Sequence, residues 1–554
     1  MTFAGERPEP GHMQPQPLLI RQLLFSPACY NPEQEIVYRG ALRLTYRDLR
    51  ERVQRLAGAL AALGVRRGDT VAVMDWDSHR YLECFFAVPM LGAVLQTVNV
   101  RLSPQQILFT LGQTRPTVLL ANPDFIPLLD EMGEDIRFID RVVLMPDEAP
   151  VPAPRLPVVG EYEDLLAAAE ARFDFPEFPE ETIATTFHTT GTTGLPKAVY
   201  FSHRQIVLHT LSLIATYATQ PGHGRFDRSD VYMPITPMFH VHAWGIPFMA
   251  TALGVKQVYP GRYEARRLLE LQQSEGVTFS HCVPTILKMM LDEPDRTDLT
   301  GWKIVIGGAV LTRALAQEAM SRGIDVFCGY GMSETCPLLL ISHVDLDQLD
   351  DPAEELDLRV MAGKPAILTE VRIVDDQMRD LPADGMARGE LVARAPWLTR
   401  GYRGNPEASS SLWEGGYLHT GDIATHSPKG YFKIVDRLKD VIKTGGEWIS
   451  SVDVEDIISM HPQVSECAVI GVPDAKWGER PVALIVPKPG CAPEADAFSA
   501  LLGEHVSRGQ LSRFGIPDRY ILVEELQKTS VGKIDKKKLR EVYDQSQALF
   551  GEEQ

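Results

Sequence analysis

An amphipathic repeat opens the ordered part of the chain. Between residues 49 and 63, apolar side chains recur every three or four positions, which is the spacing of one helix face. Thr45 precedes the repeat, and Asp48 follows three positions later, a combination that is typical of a capping box. Gly64 comes directly after the repeat, where glycine commonly ends a helix. The pattern therefore predicts a helix that Thr45 caps and Gly64 ends.

Short runs of apolar and β-branched residues alternate with helical patterns as far as Cys328. This alternation predicts an α/β architecture with largely parallel sheets, arranged as two α/β subdomains. One of the intervening helices is predicted over residues 262–273, with leucines on its packing side. The predicted strands are residues 36–38, 42–44, 70–74, 118–121, 255–259, 279–283, 303–307 and 325–328.

The pattern changes after Ala362. Short strands punctuated by Pro and Gly, including residues 370–374 and 389–393, predict a smaller β-rich lobe. Beyond residue 440, two helical patterns and two apolar strands predict a separate compact unit. The sequence thus predicts a loose segment over 1–17, a large N-terminal domain over 18–437, a hinge over 438–442 and a small C-terminal α+β domain over 443–554.

Composition and charge narrow the possible functions. The chain has 554 residues, of which 44% are hydrophobic and 23% charged, values typical of a soluble protein with more than one core. Lys and Arg number 55 against 74 Asp and Glu, so the net charge of -19 disfavours a nucleic-acid partner. This balance favours small-molecule chemistry.

Cysteine usage and hydropathy bear on the compartment. The seven cysteines are scattered and contain no CxxC pair, so neither a disulfide framework nor a zinc site is indicated. No stretch approaches the ~18 apolar residues that a membrane span requires, and the N-terminal residues do not read as a targeting signal. We therefore expect a cytoplasmic protein without a membrane span.

Residues 189–197 read Thr-Thr-Gly-Thr-Thr-Gly-Leu-Pro-Lys. Glycines let backbone N–H groups converge on an anion, while threonine hydroxyls and a lysine ammonium add further donors. We interpret the stretch as a mobile loop that wraps a polyphosphate, although Thr/Gly runs also occur in flexible linkers. It is not a Walker A loop, because Gly191 is not followed at the required spacing by Gly-Lys-Ser/Thr.

A second feature follows the strand predicted to end at Cys328. Residues 329–335 read Gly-Tyr-Gly-Met-Ser-Glu-Thr. Open α/β sheets bind planar ligands at the carboxyl ends of their strands, and the Glu334 carboxylate suits a hard cation. The alternative interpretation is a tight turn that carries an exposed glutamate.

Two further polar features lie nearer the C-terminus. Asp422 closes the run Tyr-Leu-His-Thr-Gly-Asp, with Arg437 fifteen residues later. A carboxylate held in such a turn can accept both hydroxyls of a ribose, or can simply stabilise the turn. Lys533 ends the run Thr-Ser-Val-Gly-Lys, which offers it from a glycine turn, although a lone lysine there is usually solvated.

Taken together, in this order and at these separations, the four stretches resemble the adenylate-forming superfamily, most closely its medium- and long-chain fatty acyl-CoA synthetases. The resemblance extends from about residue 20 to residue 545. It implies a large N-terminal domain of three subdomains and a small, mobile C-terminal domain that rotates between two half-reactions. ATP, with Mg²⁺, first converts a small-molecule carboxylic acid to an acyl-adenylate with loss of pyrophosphate, and the thiol of CoA then displaces AMP. It also implies a homodimer.

The resemblance also implies roles for individual residues. Lys533 approaches the α-phosphate and the carboxylate during adenylation, and its charge neutralises two anions that must meet. Glu334, with a hydroxyl from Thr189, supports Mg²⁺, and Lys439 is the hinge between the domains. The implied ATP-binding set is Thr189, Thr190, Gly191, Thr192, Thr193, Gly194, Lys197, Gly308, Gly329, Tyr330, Gly331, Met332 and Ser333, with Asp422 and Arg437 at the ribose.

Residues 237–244 resemble the acyl-pocket segment of the family, with His240 in the pocket and Trp244 as an indole gate over a fatty-acid tunnel. Two other interpretations are that His240 and His242 bind a metal ion, or that Trp244 is ordinary core packing. Amino-acid-activating relatives place an aspartate near residues 239–240, and its absence here favours an uncharged tail. The implied CoA and pantetheine residues are Val241, Lys443, Gly445, Gly446, Glu447 and Trp448.

Several alternatives stay open at this point. Ala198 stands where the family commonly has glycine, and would cost about 1 kcal/mol if the loop needed a backbone angle that glycine favours. A second interpretation of the substrate is a bulky polycyclic acid of specialised metabolism. A second interpretation of the acyl acceptor is a carrier-protein thiol. Two interpretations lie outside ligase chemistry. One is a catalytically inactive protein that binds a nucleotide or an acyl-adenylate, and the other is a luciferase-like enzyme that oxygenates the adenylate.

Overall fold

The computed structural model describes residues 16–147, 155–189, 195–220, 222–294, 298–346, 349, 351, 353–445, 447–529 and 533–550. Its helices are Arg21–Tyr30 (α1), Tyr46–Ala62 (α2), His79–Met90 (α3), Pro104–Thr114 (α4), Ile126–Glu131 (α5), Tyr162–Ala168 (α6), His203–Ala218 (α7), the single turn Val241–Trp244 (α8), Ile246–Leu253 (α9), Ala265–Glu275 (α10), Pro284–Leu291 (α11), Arg313–Ser321 (α12), Glu354–Arg359 (α13), Pro406–Leu412 (α14), Ser451–Ser459 (α15), Ala495–Ser507 (α16) and Lys536–Phe550 (α17).

The strands complete the element order. They are Glu35–Tyr38 (β1), Leu42–Thr45 (β2), Thr70–Met74 (β3), Val94–Thr97 (β4), Val118–Ala121 (β5), Val142–Leu144 (β6), Val158–Glu161 (β7), Ile183–Thr189 (β8), Lys197–Ser202 (β9), Val231–Pro234 (β10), Lys256–Tyr259 (β11), Phe279–Cys282 (β12), Lys303–Ile306 (β13), Asp325–Gly331 (β14), Leu338–Ile341 (β15), Lys364–Pro365 (β16), Glu370–Val374 (β17), Gly389–Arg394 (β18), Leu418–His426 (β19), Phe432–Arg437 (β20), Ile442–Thr444 (β21), Glu447–Ile449 (β22), Val464–Asp474 (β23), Gly478–Pro487 (β24) and Arg519–Leu522 (β25).

Two large sheets form the first two thirds of the fold. One has seven strands in the order β7-β6-β5-β3-β4-β8-β9, all parallel except the β8–β9 pair. The other has nine strands in the order β16-β15-β14-β13-β12-β10-β11-β1-β2, with antiparallel pairing only toward its two edges. The predicted α/β architecture with largely parallel sheets is confirmed.

Two smaller sheets follow. Strands β17 to β20 form a four-stranded antiparallel sheet, which is the predicted β-rich lobe. The C-terminal sheet has the order β22-β21-β24-β23, with β25 pairing parallel to β24. A mixed α/β fold with a large N-terminal part and a smaller C-terminal part is therefore observed. None of the helices within the described ranges combines the length and apolar character needed to cross a bilayer.

Several elements begin and end where the local sequence predicts. The Thr45 side chain accepts a hydrogen bond from the backbone N–H of Asp48, and Asp48 bonds back to the Thr45 N–H, so the predicted capping box starts α2. Strands β3 and β5 have the predicted bounds, and all their residues are buried. Boundaries were less accurate for α10, which begins three residues after the predicted start.

Three predicted loops or turns are in fact wholly or partly strand. Thr189 and Lys197 are paired with each other as the last residue of β8 and the first of β9. Strand β14 continues past Cys328 to Gly331, because it pairs with β15, opposite Ile341 to Leu338. Asp422 lies within β19 rather than in a turn, since β19 pairs with β18 and β20 along its length.

Candidate active site

A cavity of about 1380 Å³ lies where the carboxyl ends of β8, β13 and β14 face the β-rich lobe and the C-terminal part. Most of the residues that the sequence singled out line this one cavity. They are Thr189, Lys197, His240, Val241, Trp244, Gly308, Gly329, Tyr330, Gly331, Met332, Ser333, Glu334, Asp422, Arg437, Lys439 and Lys533.

Asp422 occupies the charged end of the cavity. Its Oδ2 accepts a hydrogen bond of 2.6 Å from the hydroxyl of Tyr330, at the end of β14. Its Oδ1 lies 3.7 Å from Nε of Arg437, because Asp422 and Arg437 are direct partners across β19 and β20. Burial raises the pKa of Asp422, and the Arg437 charge opposes that rise. The pair forms a buried acceptor with its cation already in place.

Glu334 lies beside this pair and is only 6% exposed. Its Oε1 accepts a 2.7 Å hydrogen bond from the hydroxyl of Tyr402, and Nζ of Lys197 sits 4.7 Å from the centre of the Tyr402 ring. Burial raises the pKa of Glu334, while the charges of Lys197 and Lys533 oppose this. A buried carboxylate with cations nearby is suited to share a polyphosphate or a hard cation.

Lys533 reaches the cavity from the C-terminal part. Burial, helped by the Arg437 charge, lowers the pKa of Lys533 to about 8, against the opposing effect of Asp422 and Glu334. Its side chain passes close to Gly308, where an added Cβ would lie 3.2 Å from Cε of Lys533. Gly308 also has a φ of +79°, so glycine suits both the backbone and the approach of the lysine.

The segment that carries His240 and Trp244 has an unusual backbone. Residues 241–244 all have φ between 48° and 60°, and so form a left-handed turn. This conformation costs about 1–2 kcal/mol per non-glycine residue. A hydrogen bond between Thr185 Oγ1 and His242 Nε2 (2.6 Å) holds the turn itself. The residues before it are held by hydrogen bonds from Thr97 Oγ1 to the Phe239 carbonyl (2.9 Å) and from the Met238 N–H to Asp77 Oδ1 (2.8 Å). The turn aims Trp244 at the cavity.

This turn separates the two histidines that were considered as metal ligands. His240 lines the cavity, whereas His242 is fully buried and packs edge-on against Phe85 and Phe187. Burial lowers the pKa of both histidines to about 3, so both are neutral at ordinary pH. In the part of the chain that the structure describes, no cluster of three or more His, Cys, Asp and Glu side chains is arranged to hold a metal ion.

The described members of the predicted CoA set other than Val241 are not among the residues that line this cavity. In the β21–β22 hairpin Lys443 pairs with Trp448, and Glu447 pairs with Thr444. Trp448 is 44% exposed and has the Lys443 ammonium 5.2 Å from its ring centre. Gly445 lies in the same hairpin. Their role stays a prediction. Six predicted site residues lie outside the described residues: Thr190, Gly191, Thr192, Thr193, Gly194 and Gly446.

Comparison with known proteins agrees with this geometry. The family model described as AMP-binding enzyme matches residues 26–403, well over half of the chain, and the model of the AMP-binding enzyme C-terminal domain matches residues 453–533. The chain belongs to the AMP-binding enzyme family. Members of this family adenylate a carboxylic acid and then form a thioester, so the protein is an AMP-forming acid–thiol ligase.

Individual relatives of this AMP-binding enzyme cover nearly its whole length. A long-chain-fatty-acid–CoA ligase of Thermus thermophilus is 40% identical over 97% of this chain and 98% of the relative. A 3-methylmercaptopropionyl-CoA ligase of Ruegeria lacuscaerulensis is 34% identical over 96% and 98%. The crystal structure of the anthranilate CoA ligase AuaEII with anthranoyl-AMP superposes with a TM-score of 0.83 at 23% identity, covering 96% of this chain and 99% of the other, and so supports the fold.

Sequence reasoning missed several residues of the AMP-binding enzyme's cavity. Tyr402 holds the Glu334 carboxylate but follows it by 68 residues and sits in no pattern that marks it. Leu213 and Tyr217 line the cavity from α7. Their spacing of four residues signals one buried helix face, but it does not distinguish a wall of a cavity from ordinary core.

Proposed function

We propose that this enzyme is a fatty acyl-CoA synthetase that activates a medium- or long-chain fatty acid with ATP and transfers the acyl group to CoA. The observation that carries the proposal is that one cavity has both charged and apolar walls. Asp422, Glu334 and Lys533 supply the charged groups, which we call its charged end. The apolar wall is formed by Leu213, Tyr217, Trp244, Ile246, Cys328, Leu338 and Ala362.

The charged end supports the adenylation half-reaction. Asp422 would accept the ribose hydroxyls, and its position on the cavity wall beside Arg437 supports this role. Thr189 and Lys197 would contact the outer phosphates of ATP, a role supported by their position on the cavity wall at the two ends of the β8–β9 connection. The Lys533 ammonium would stabilise the α-phosphate and the carboxylate as they approach, because two anions repel until a cation neutralises them.

The chemistry and position of the Glu334 carboxylate suit a Mg²⁺ ligand. Proteins usually bind Mg²⁺ with one or two carboxylates and leave the other positions to water and substrate phosphates. Here one buried carboxylate, already oriented by Tyr402, lies near Lys197 at the phosphate end, with the Thr189 side chain on the same cavity wall. Bound Mg²⁺ would supply further charge neutralisation on the phosphates.

The second half-reaction requires a different arrangement of the C-terminal part. In this proposal the segment over 438–442 is the hinge, Lys439 is its pivot, and rotation brings the hairpin residues Lys443, Gly445, Gly446, Glu447 and Trp448 to the pantetheine arm of CoA, beside Val241. The exposed position of Trp448 supports a role that begins only after such a rotation. A homodimer in the cytoplasm stays a prediction, which light scattering and cell fractionation test.

A panel of acids tests the proposal. The purified enzyme is assayed by ATP–pyrophosphate exchange with saturated fatty acids of graded length, a methylthio-substituted short acid and polycyclic aromatic acids. We expect the highest kcat/KM with medium or long fatty acids, and thioester formation with free CoA. Exchange confined to polycyclic acids would refute the fatty-acid assignment, and product formed only on a carrier-protein thiol would refute CoA as the acceptor.

A further inference from the structure

The apolar wall of the cavity, called its apolar arm below, includes residues of helix α7. Leu213 and Tyr217 stand one turn apart on the same face of this helix, line the cavity and are each 1% exposed. Strand β14 contacts both the charged end and Tyr217, so it can be used to estimate the distance between them. Its residue Tyr330 bonds Asp422 at the charged end, while Phe327, three residues earlier, packs against the Tyr217 ring. Three strand residues span about 10 Å.

Tyr217 is backed by aromatic side chains rather than by open space. Its ring meets Phe279 edge-on at a centroid distance of 5.7 Å and His343 edge-on at 5.4 Å, and Phe327 lies at 6.5 Å. None of these three side chains is among the described residues that line the cavity, whereas Tyr217 is. The phenol ring therefore stands between the arm and the cluster behind it.

Other contacts place Trp244 nearer the charged end. An added Cβ on Gly307 would lie 2.9 Å from Cη2 of Trp244, and the next residue, Gly308, lies against the Lys533 side chain. The order along the arm is thus Lys533, Trp244 and then Tyr217. An acyl chain whose carboxylate meets Lys533 points its methyl end toward α7.

We propose that the Tyr217 ring closes the arm and sets the upper limit of acyl-chain length in this enzyme. The inference rests on the proposed function, since it assumes that a fatty acid occupies the arm. Up to the limit, each additional methylene is buried against apolar side chains and should raise kcat/KM roughly fourfold. Beyond the limit, the chain would have to displace an aromatic ring that is packed on its other faces, and kcat/KM should fall steeply.

The test is a chain-length series with matched variants. ATP–pyrophosphate exchange is measured with saturated acids that differ by two carbons, for the wild type, Tyr217→Ala and Tyr217→Phe. Tyr217→Ala should move the limit to acids at least two carbons longer. Tyr217→Phe should leave the limit unchanged, because it keeps the ring and the hydroxyl has no hydrogen-bond partner among the described residues. Leu211→Ala, on the exposed face of α7, is the surface control.

The outcomes separate the two proposals. An unchanged limit in Tyr217→Ala enzyme that is active on shorter acids would refute the role of Tyr217, as would an equal shift in Tyr217→Phe. If Tyr217→Ala does not fold, Tyr217→Leu decides, since it keeps an apolar side chain against the aromatic cluster and should still lengthen the limit. Wild-type enzyme that exchanges with no fatty acid would instead refute the proposed function, and this inference with it.

Discussion

The contacts inside the N-terminal and C-terminal parts differ in kind from the contacts between the two parts. The N-terminal part has a large apolar core drawn from residues 20–432, and the C-terminal part has its own apolar clusters from residues 442–543. Next to the boundary, Ile423 and Val435 of the N-terminal part form a small apolar cluster with Val441 of the predicted hinge. Hydrogen bonds and ion pairs also join the two parts.

Those polar contacts are specific. The Ser451 N–H donates to Asp436 Oδ2 at 2.7 Å, Nζ of Lys433 lies 2.7 Å from Asp453 Oδ1, and Arg388 donates to the Trp448 carbonyl at 3.1 Å. Water can replace the exposed partners Lys433 and Arg388 at small cost, whereas the Ser451–Asp436 contact is buried and is costly to break. The exposed contacts are of the kind that the proposed rotation would have to exchange for water.

A buried polar bridge links this boundary to the Lys533 segment. Lys536, at the start of α17, lies 2.7 Å from Oε1 of Glu455 and donates to Ser451 Oγ, which in turn donates to Asp436. Asp436 precedes Arg437 at the ribose end of the cavity. The bridge thus couples the position of Lys533, three residues before Lys536, to the N-terminal wall of the site.

The largest effect on activity is expected from removing Lys533, the cation that the C-terminal part contributes to the cavity. Lys533→Ala should lower ATP–pyrophosphate exchange by about three orders of magnitude, because charge repulsion is no longer neutralised, while thioester formation from a supplied acyl-adenylate persists. In the wild type, exchange should decline as pH rises through about 8, since the ammonium loses its proton there. Lys537→Ala, at an exposed position, is the control. Near-normal exchange in Lys533→Ala would exclude this role.

A second prediction separates the two half-reactions. Lys439→Pro fixes φ at the proposed hinge, so adenylation should continue while thioester formation is lost. Lys439→Ala removes the side chain but leaves the backbone free, and it should retain both steps. Single-turnover assays of each step make the measurement. Equal losses of both steps in Lys439→Pro would contradict a hinge at this residue.

A smaller effect is expected at the bridge. Ser451→Ala removes the hydroxyl between Lys536 and Asp436, and the loss of one hydrogen-bonding group should lower adenylation about fivefold. Thioester formation from supplied acyl-adenylate should be unaffected. Ser507→Ala removes an exposed helical hydroxyl that bonds only a nearby carbonyl, and serves as the control. If both steps fell together, the bridge would be a general stability feature instead.

The smallest effect is expected at Ala198. This residue lies in β9 opposite His188, is buried and is not among the described residues with positive φ. Glycine offers no conformational advantage there, and glycine within a strand weakens it. Ala198→Gly should therefore change the exchange rate by less than about twofold and should lower the melting temperature slightly. A large rate increase would show that the loop needs a glycine-favoured angle when it closes.

Much of the fold could be predicted because its signals are local. The capping box at Thr45 and the buried runs of β3 and β5 are written in neighbouring residues. The left-handed turn over residues 241–244 could not be predicted, since nothing in an apolar run marks four positive φ angles, and only the contacts of surrounding elements stabilise them.

The sequence by itself determined which residue types stand after which strands, and so the charged groups that an adenylation site needs. Tertiary structure decided which of them meet: Asp422 opposite Arg437 across two strands, Tyr402 on Glu334, and Tyr217 at the end of the apolar arm. The physical reason is that periodicity and capping act over a few residues, whereas a cavity is shaped by sheets and helices that pack together from distant parts of the chain.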